Sequence, residues 1–258
     1  MAGKRISPLY RFIKALVRFF YGKTRVVGAE RLPAEPCIIV GNHCQMHGPI
    51  ACELDFPGTH FTWCAGEMMR LKEVPAYAFR DFWSAKPRAV RWLFRIASYL
   101  IAPLSVCVFN NANCIGVYHD ERVIRTFRES VDTLQRGGSL IIFPEHDPPR
   151  SNILSDFQDR FVTVARQYHR RCGKAVCFVP MYLAPALKTM YLGEPVRYDP
   201  AAPPKEECRR ISETLMERIT AMAVALPRHR VVPYRNIPKK RYPYNTPLEV
   251  YPYEKTDG

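Results

Sequence analysis

Hydrophobic and polar positions divide this chain into an amphipathic opening, a middle in which short apolar runs alternate with helical periods, and a proline-rich end. In segment 9–21, Phe12, Ile13, Leu16, Phe19 and Phe20 cover much of the surface, while Arg11, Lys14 and Arg18 recur three and four apart on one face. That spacing predicts an amphipathic helix. Its basic and aromatic composition suits a helix lying in a membrane interface or one packed on its own domain. "CIIV" at 37–40 predicts the first buried strand. Residues 74–104, "VPAYAFRDFWSAKPRAVRWLFRIASYLIAPL", place Arg88, Arg91 and Arg95 at helical spacing beside Trp92, Leu93 and Phe94. A second basic-aromatic helix is predicted there, which strengthens the membrane reading.

The following runs alternate. "SVCVF" (105–109) predicts a strand. Asp120 stands before a helical period over 121–136, carried by Val123, Ile124, Phe127, Val131 and Leu134 and ended by Gly137-Gly138. "SLIIF" (139–143) is a buried strand. A helix marked by Phe157, Phe161, Val164, Ala165 and Tyr168 closes at Gly173, "AVCFVPMYL" (175–183) is a strand, and 206–225 is a helix. Strands alternating with helices predict an α/β fold with a mostly parallel central sheet flanked by helices. Three segments follow: 1–25 as an amphipathic membrane-interface helix, 26–226 as the α/β domain with 74–104 facing the membrane, and 227–258 as a tail. The tail has six prolines and five tyrosines and no helical period, so it is expected to run extended, laid over the domain surface. No internal repeat is present.

Composition narrows the partners. The 258 residues are 47% hydrophobic, and the net charge of +14 implies an anionic partner: nucleic acid, an acidic membrane surface or phosphorylated molecules. No nucleic-acid-binding motif is visible, and the arginines interleave with aromatics in helices rather than in a sheet, which argues against nucleic acid. Nine cysteines, an odd number without a C-x-x-C pair, point to a reducing compartment and no structural zinc. The basic N-terminus lacks a secretory pattern. No run of about 18 uncharged apolar residues supports a spanning helix; the nearest, from Ile96 onward, is interrupted by Pro103 and two asparagines.

In open α/β sheets, ligands bind beyond the carboxyl ends of the strands. "CIIVG" runs into Asn42-His43, and "LIIF" into Pro144-Glu145-His146-Asp147. If these strands are parallel neighbours, His43, Glu145, His146 and Asp147 converge on one rim, with Pro180 and Met181 from a third strand. A neutral imidazole accepts a proton near pH 7, and a carboxylate on its other nitrogen fixes the tautomer. Blander roles exist: His43 as a hydrogen-bonded turn residue, Glu145 as a helix cap. Cys44 could act as a nucleophile, although sequence neighbours rarely face each other.

The ordered set "VVGAERLP", "IIVGNH", "SLIIFPE", "CFVPMY" and "YLGEPV", within about residues 26–225, resembles the glycerolipid acyltransferases of the 1-acylglycerol-phosphate acyltransferase type. The resemblance implies transfer of a fatty acyl group from acyl-CoA or acyl carrier protein to the hydroxyl of a lysophospholipid-like acceptor. This would occur at an anionic membrane surface, with the protein cytoplasmic and peripheral on the inner face. His43 falls on the catalytic base and Glu145 in the acceptor-binding region. Asn42, His47, Gly48, Pro144, His146 and Arg150 occupy the surrounding substrate-binding positions. No metal and no bound cofactor are implied.

The motifs depart from the family at two places. The family spaces a His and an Asp by four residues, but here Gly48 stands at the Asp position, or His47 if one turn residue is lost. Phe-Pro-Glu-Gly-Thr-Arg has become "FPEHDP", with Arg150 two residues late, and "FNNANC" replaces a further arginine-bearing region. Asp147, or else Glu145, is therefore expected to orient His43. The alternative is a degenerate member that binds acyl lipid without turnover.

Overall fold

A computed structural model describes residues 6–84 and 86–246; the remaining part of the tail expected over 227–258 lies outside the described residues. In chain order the elements are α1 (Pro8–Tyr21), β1 (Arg25–Val27), β2 (Ile38–Gly41), α2 (His47–Asp55), β3 (His60–Ala65), α3 (Val74–Ala78), α4 (Arg91–Asn111), β4 (Cys114–Val117) and α5 (Val123–Gln135). They continue with β5 (Ser139–Ile142), β6 (Glu145–Pro149), β7 (Ser155–Phe157), α6 (Thr163–Cys172), β8 (Cys177–Ala184), β9 (Thr189–Leu192), β10 (Val196–Arg197) and α7 (Pro204–Val224). The chain folds as two compact units that interleave in sequence, one holding the described residues up to Gly22 plus Phe61–Glu129, the other Lys23–His60 with the residues from Ser130 onward.

The first unit is mainly helical. Ser98, Ala102 and Ser105 form a buried stripe along α4 that packs with Met68, Val74 and Ala78, and Ser105 Oγ donates to the Met68 carbonyl at 2.9 Å. This corrects the strand expected at 105–109: an apolar run of five residues fits either period. Here the helical period is carried by small residues, which the hydrophobic pattern does not mark. α4 passes through Pro103 to Asn111, so Arg88–Asn111 is long and apolar enough, by length and composition, to cross a membrane. The helix runs on through Pro103 and Asn110–Asn111, which the sequence reading took as interruptions. The outer face of α4 exposes Trp92, Leu93, Ile96, Tyr99, Leu100 and Leu104. α1 buries Tyr10 and exposes Leu9, Phe12, Leu16, Phe19 and Phe20, the last two at 78%. Its start is tied to α4 by the Ser7 N–H on Asn111 Oδ1 at 2.9 Å.

The second unit holds the sheet that positions the candidate site, in the order β1-β9-β8-β2-β5, with β10 on β8. β2 lies between β5 and β8 and runs parallel to both; β8–β9 and β8–β10 are antiparallel. This is a mixed α/β architecture, mostly parallel and flanked by helices. Ile38, Ile39 and Val40 are fully buried, as are Phe178 and Val179 beside them. Central parallel strands covered on both faces read as continuous apolar runs. Beyond α7, residues 227–246 run without helix or sheet apart from one 3₁₀ turn at Lys239–Arg241 and a bridge between Arg230 and Tyr244.

Candidate active site

Strand register brings the two polar clusters together. β2 and β5 pair Val40 with Ile142, and three residues further along each strand stand His43 and Glu145. The meeting differs from the one expected. Glu145 is buried, and its Oε1 accepts the backbone N–H of His43 at 2.6 Å rather than a ring N–H. Its Oε2 accepts the Ser155 N–H at 2.8 Å, which locks the β6–β7 hairpin to the β2 turn. Burial pushes the carboxyl up to about 7, against these two donors, which favour the carboxylate.

Asp147 also misses the imidazole. It is half-exposed and pairs with the Arg235 guanidinium. The expected dyad of His43 with an acid from 145–147 is therefore corrected. Regular alternation would put residues 145 and 147 on one face, but the β6–β7 register shifts between His146 and Pro149, so Glu145 stays turned inward to backbone while Asp147 lies out at the rim. His43 Nδ1 is buried with no hydrogen-bond partner among the described residues. The ring packs edgewise against Phe143 (centroids 5.3 Å apart) and Tyr234 (6.0 Å). Burial lowers its pKa below the ordinary value, opposed by nearby backbone groups of Gln45 and of His43 itself. The turn that bends this backbone around the ring holds Cys44 and Gln45 at φ 48° and 54°. Two consecutive non-glycine residues in the left-handed region cost of order 1–3 kcal/mol each, strain typical of functional sites.

The remaining expected residues sort by what they touch. Asn42 is fully engaged: Nδ2 donates to the Leu183 carbonyl (3.0 Å) and Cys44 Sγ (2.8 Å), and Oδ1 accepts the Leu183 N–H (2.7 Å). It clamps the end of β2 to β8. Cys44 is fully buried, and burial pushes its thiol well up, so it stays protonated and unreactive. His47 opens α2 with its pKa lowered by burial and by the Lys239 ammonium; a histidine facing a lysine cannot serve as a carboxylate. Pro144 is buried and its carbonyl accepts the Gln158 N–H, while His146 Nδ1 meets the Asp147 carbonyl at 2.5 Å. Arg150 turns to Asp156 (3.7 Å) and to Met216 of α7, lining a cavity of about 510 Å³ with Lys205 and Arg209 that does not include His43.

Gly48 explains why no acid occupies the motif position. Its N–H donates to the His43 carbonyl at 3.1 Å, and a Cβ there would stand 2.5 Å from that oxygen and 2.9 Å from the Phe143 ring. Gly48→Ala is expected to lose about 1–3 kcal/mol of stability by overpacking, read by urea unfolding. Gly48→Asp cannot therefore rebuild a dyad in this backbone.

The chain end supplies residues the sequence reading missed. Val231 and Val232 are buried, Tyr234 meets the His43 ring, Gln45 Nε2 donates to the Arg235 carbonyl at 3.1 Å, and the Tyr242 hydroxyl reaches Gln45 Oε1 at 3.4 Å. The segment is anchored through His229. Its Nδ1 lies 2.8 Å from the Pro227 carbonyl, which only accepts, so Nδ1 carries the proton and Nε2 accepts from Tyr182 at 2.9 Å. Asn245 closes the loop by accepting the His229 N–H (2.8 Å) and donating to the Ala223 carbonyl (2.8 Å). The signal in the sequence was charge: 227–246 holds six Lys and Arg and no acid.

All nine cysteines are free thiols, and no group of three His, Cys, Asp or Glu among the described residues is arranged to hold a metal ion. No family model and no curated protein matches the chain. Among solved structures it is similar to the 1-acyl-sn-glycerophosphate (LPA) acyltransferase PlsC from Thermotoga maritima, with 18% identity and a TM-score of 0.49 over 85% of this chain and 81% of that one.

Proposed function

We propose that this protein transfers a fatty acyl group from acyl-CoA or acyl carrier protein to the hydroxyl of a lysophospholipid or related acceptor, with His43 as general base. The observation that carries the reading is the imidazole at the carboxyl end of the central strand, kept neutral by burial and set in a strained turn. His43 takes the acceptor hydroxyl proton as the oxygen attacks the thioester carbonyl. The C–S bond breaks, and the proton passes to the departing thiolate. The motif order along the chain supports the same chemistry. Asn42 and Glu145 act here as positioning residues, holding the turn from which the ring projects. The test is an acceptor screen with labelled acyl-CoA and acyl carrier protein, wild type beside His43→Ala.

One observation favours a second reading, lipid binding without turnover: among the described residues no carboxylate meets the buried His43 Nδ1, and removing such a partner in a serine protease lowers turnover about 10,000-fold. Absence of acylated product with every acceptor would establish it.

Under either reading, the first unit seats the chain on an anionic membrane, peripherally and on the cytoplasmic face. α1 and α4 each expose a row of large apolar side chains, and Arg11, Arg88 and Arg91 border them. Each phenylalanine moved out of contact with lipid costs about 1.5–3 kcal/mol. Phe12→Ser, Phe19→Ser and Phe20→Ser combined should lower partitioning onto anionic vesicles by roughly 100-fold or more, measured by flotation. Equal flotation of variant and wild type would remove α1 from the membrane contact.

A further inference from the structure

The loop 232–242 stands over the candidate base, and nothing in the acyl-transfer chemistry requires it to be basic. Its two legs are closed by the Val231 N–H on the Pro243 carbonyl at 2.9 Å and the bridge between Arg230 and Tyr244. Arg228 and Arg230 are held in those legs, stacked on the Tyr244 ring at 3.8 and 4.2 Å. The other four cations of the segment, Arg235, Lys239, Lys240 and Arg241, belong to the loop itself. Tyr234 touches the His43 ring, the Arg235 Nε donates to Asp147 Oδ1, and the Lys239 ammonium lies close enough to His47 to oppose its protonation. The loop thus carries four cations and no acid within it, and brings Arg235, paired with Asp147 of β6, and Lys239 to the turn that holds the neutral imidazole. From β6, Asp147 is paired with Arg235, and the buried Glu145 has its oxygens taken by N–H groups. A guanidinium has five N–H donors in a fixed fork, and the bond to Asp147 helps to orient that fork.

We propose that this loop is the phosphate-recognition element of the site, with Arg235, oriented by Asp147, and Lys239 binding the phosphate of a substrate presented to His43. The inference rests on the acyl-transfer reading for the identity of that substrate: the phosphate belongs to the lipid acceptor or to the phosphopantetheine-bearing donor. Asp147 is accordingly a positioning residue for Arg235 and not for His43.

The test uses the full chain, wild type beside Arg235→Gln and Lys239→Gln. Lys239 is exposed, so its loss leaves the fold intact. Binding of CoA, of short-chain lysophosphatidate and of short-chain monoacylglycerol is followed by the shift of the His43 ring proton in NMR, with no turnover required. Each variant should weaken the phosphate-bearing ligand about tenfold at low salt, less at 1 M salt, and leave monoacylglycerol binding unchanged. Weakening confined to CoA assigns the loop to the donor, and weakening confined to lysophosphatidate assigns it to the acceptor. Wild-type affinity for both phosphate ligands in both variants, or equal loss for the neutral ligand, overturns the proposal. A protein that acylates nothing refutes the acyl-transfer reading, while the binding series still decides the role of the loop.

Discussion

His43→Ala is expected to abolish acyl transfer, lowering kcat/KM by roughly 100- to 10,000-fold, the worth of a positioned base. The variant should fold normally, because Glu145 holds the backbone N–H of residue 43 and not its side chain. The wild-type pH profile carries a second, independent signature. Burial lowers the His43 pKa, so the base stays neutral below the ordinary histidine value of about 6.5. The acidic limb of kcat/KM should accordingly fall below pH 6.5 and vanish with the ring. A limb above 6.5 would mean that an unseen carboxylate supports the imidazole during turnover. Without one, the chain is expected to be a slow enzyme for its fold: a protonated Nδ1 without a partner carries a cost of about 1–3 kcal/mol that a carboxylate would remove.

Glu145→Ala should be the most destabilising substitution in the site. It leaves the N–H groups of His43 and Ser155 without acceptors, at about 1–3 kcal/mol each. A total loss of roughly 3–5 kcal/mol is expected, measured by urea unfolding. The same residue makes stability depend on pH. Its carboxyl moves from 4.5 to about 7 on folding, so between those values the native state binds more protons than the unfolded chain. Stability then falls as pH rises through that window, by about 3 kcal/mol in total. His43 contributes the opposite slope, since its lowered pKa makes the unfolded chain the better proton binder just below 6.5. Glu145→Gln removes only the first component. The difference between wild type and Glu145→Gln should therefore isolate it, and a difference that does not change with pH would show that Glu145 is ionised throughout.

Much of the architecture was legible in one dimension. The apolar runs that became β2, β5 and β8 are buried on both faces and so need no alternation to be recognised. The amphipathic period of 9–21 became α1, with its aromatic side exposed. Asn42-His43 and Pro144-Glu145 were placed at strand ends by the abrupt change from apolar to polar, and their meeting followed from parallel pairing alone. The stretch 105–109 failed because its decisive residues were small: Ser98, Ala102 and Ser105 make the buried stripe of α4, and a hydrophobic count gives serine no weight.

The sequence by itself determined which groups would gather at the rim, because strand polarity and register depend on local pattern and backbone hydrogen bonding. Only the tertiary structure decided what each group does there. A carboxylate acts over a few ångströms, and the register shift in β6 after His146 left Glu145 turned toward amides while Asp147 went to an arginine 88 residues away. Likewise, no local rule reveals that Tyr234 and Arg235 close over His43, since a proline-rich segment without period takes its course from the surface that receives it.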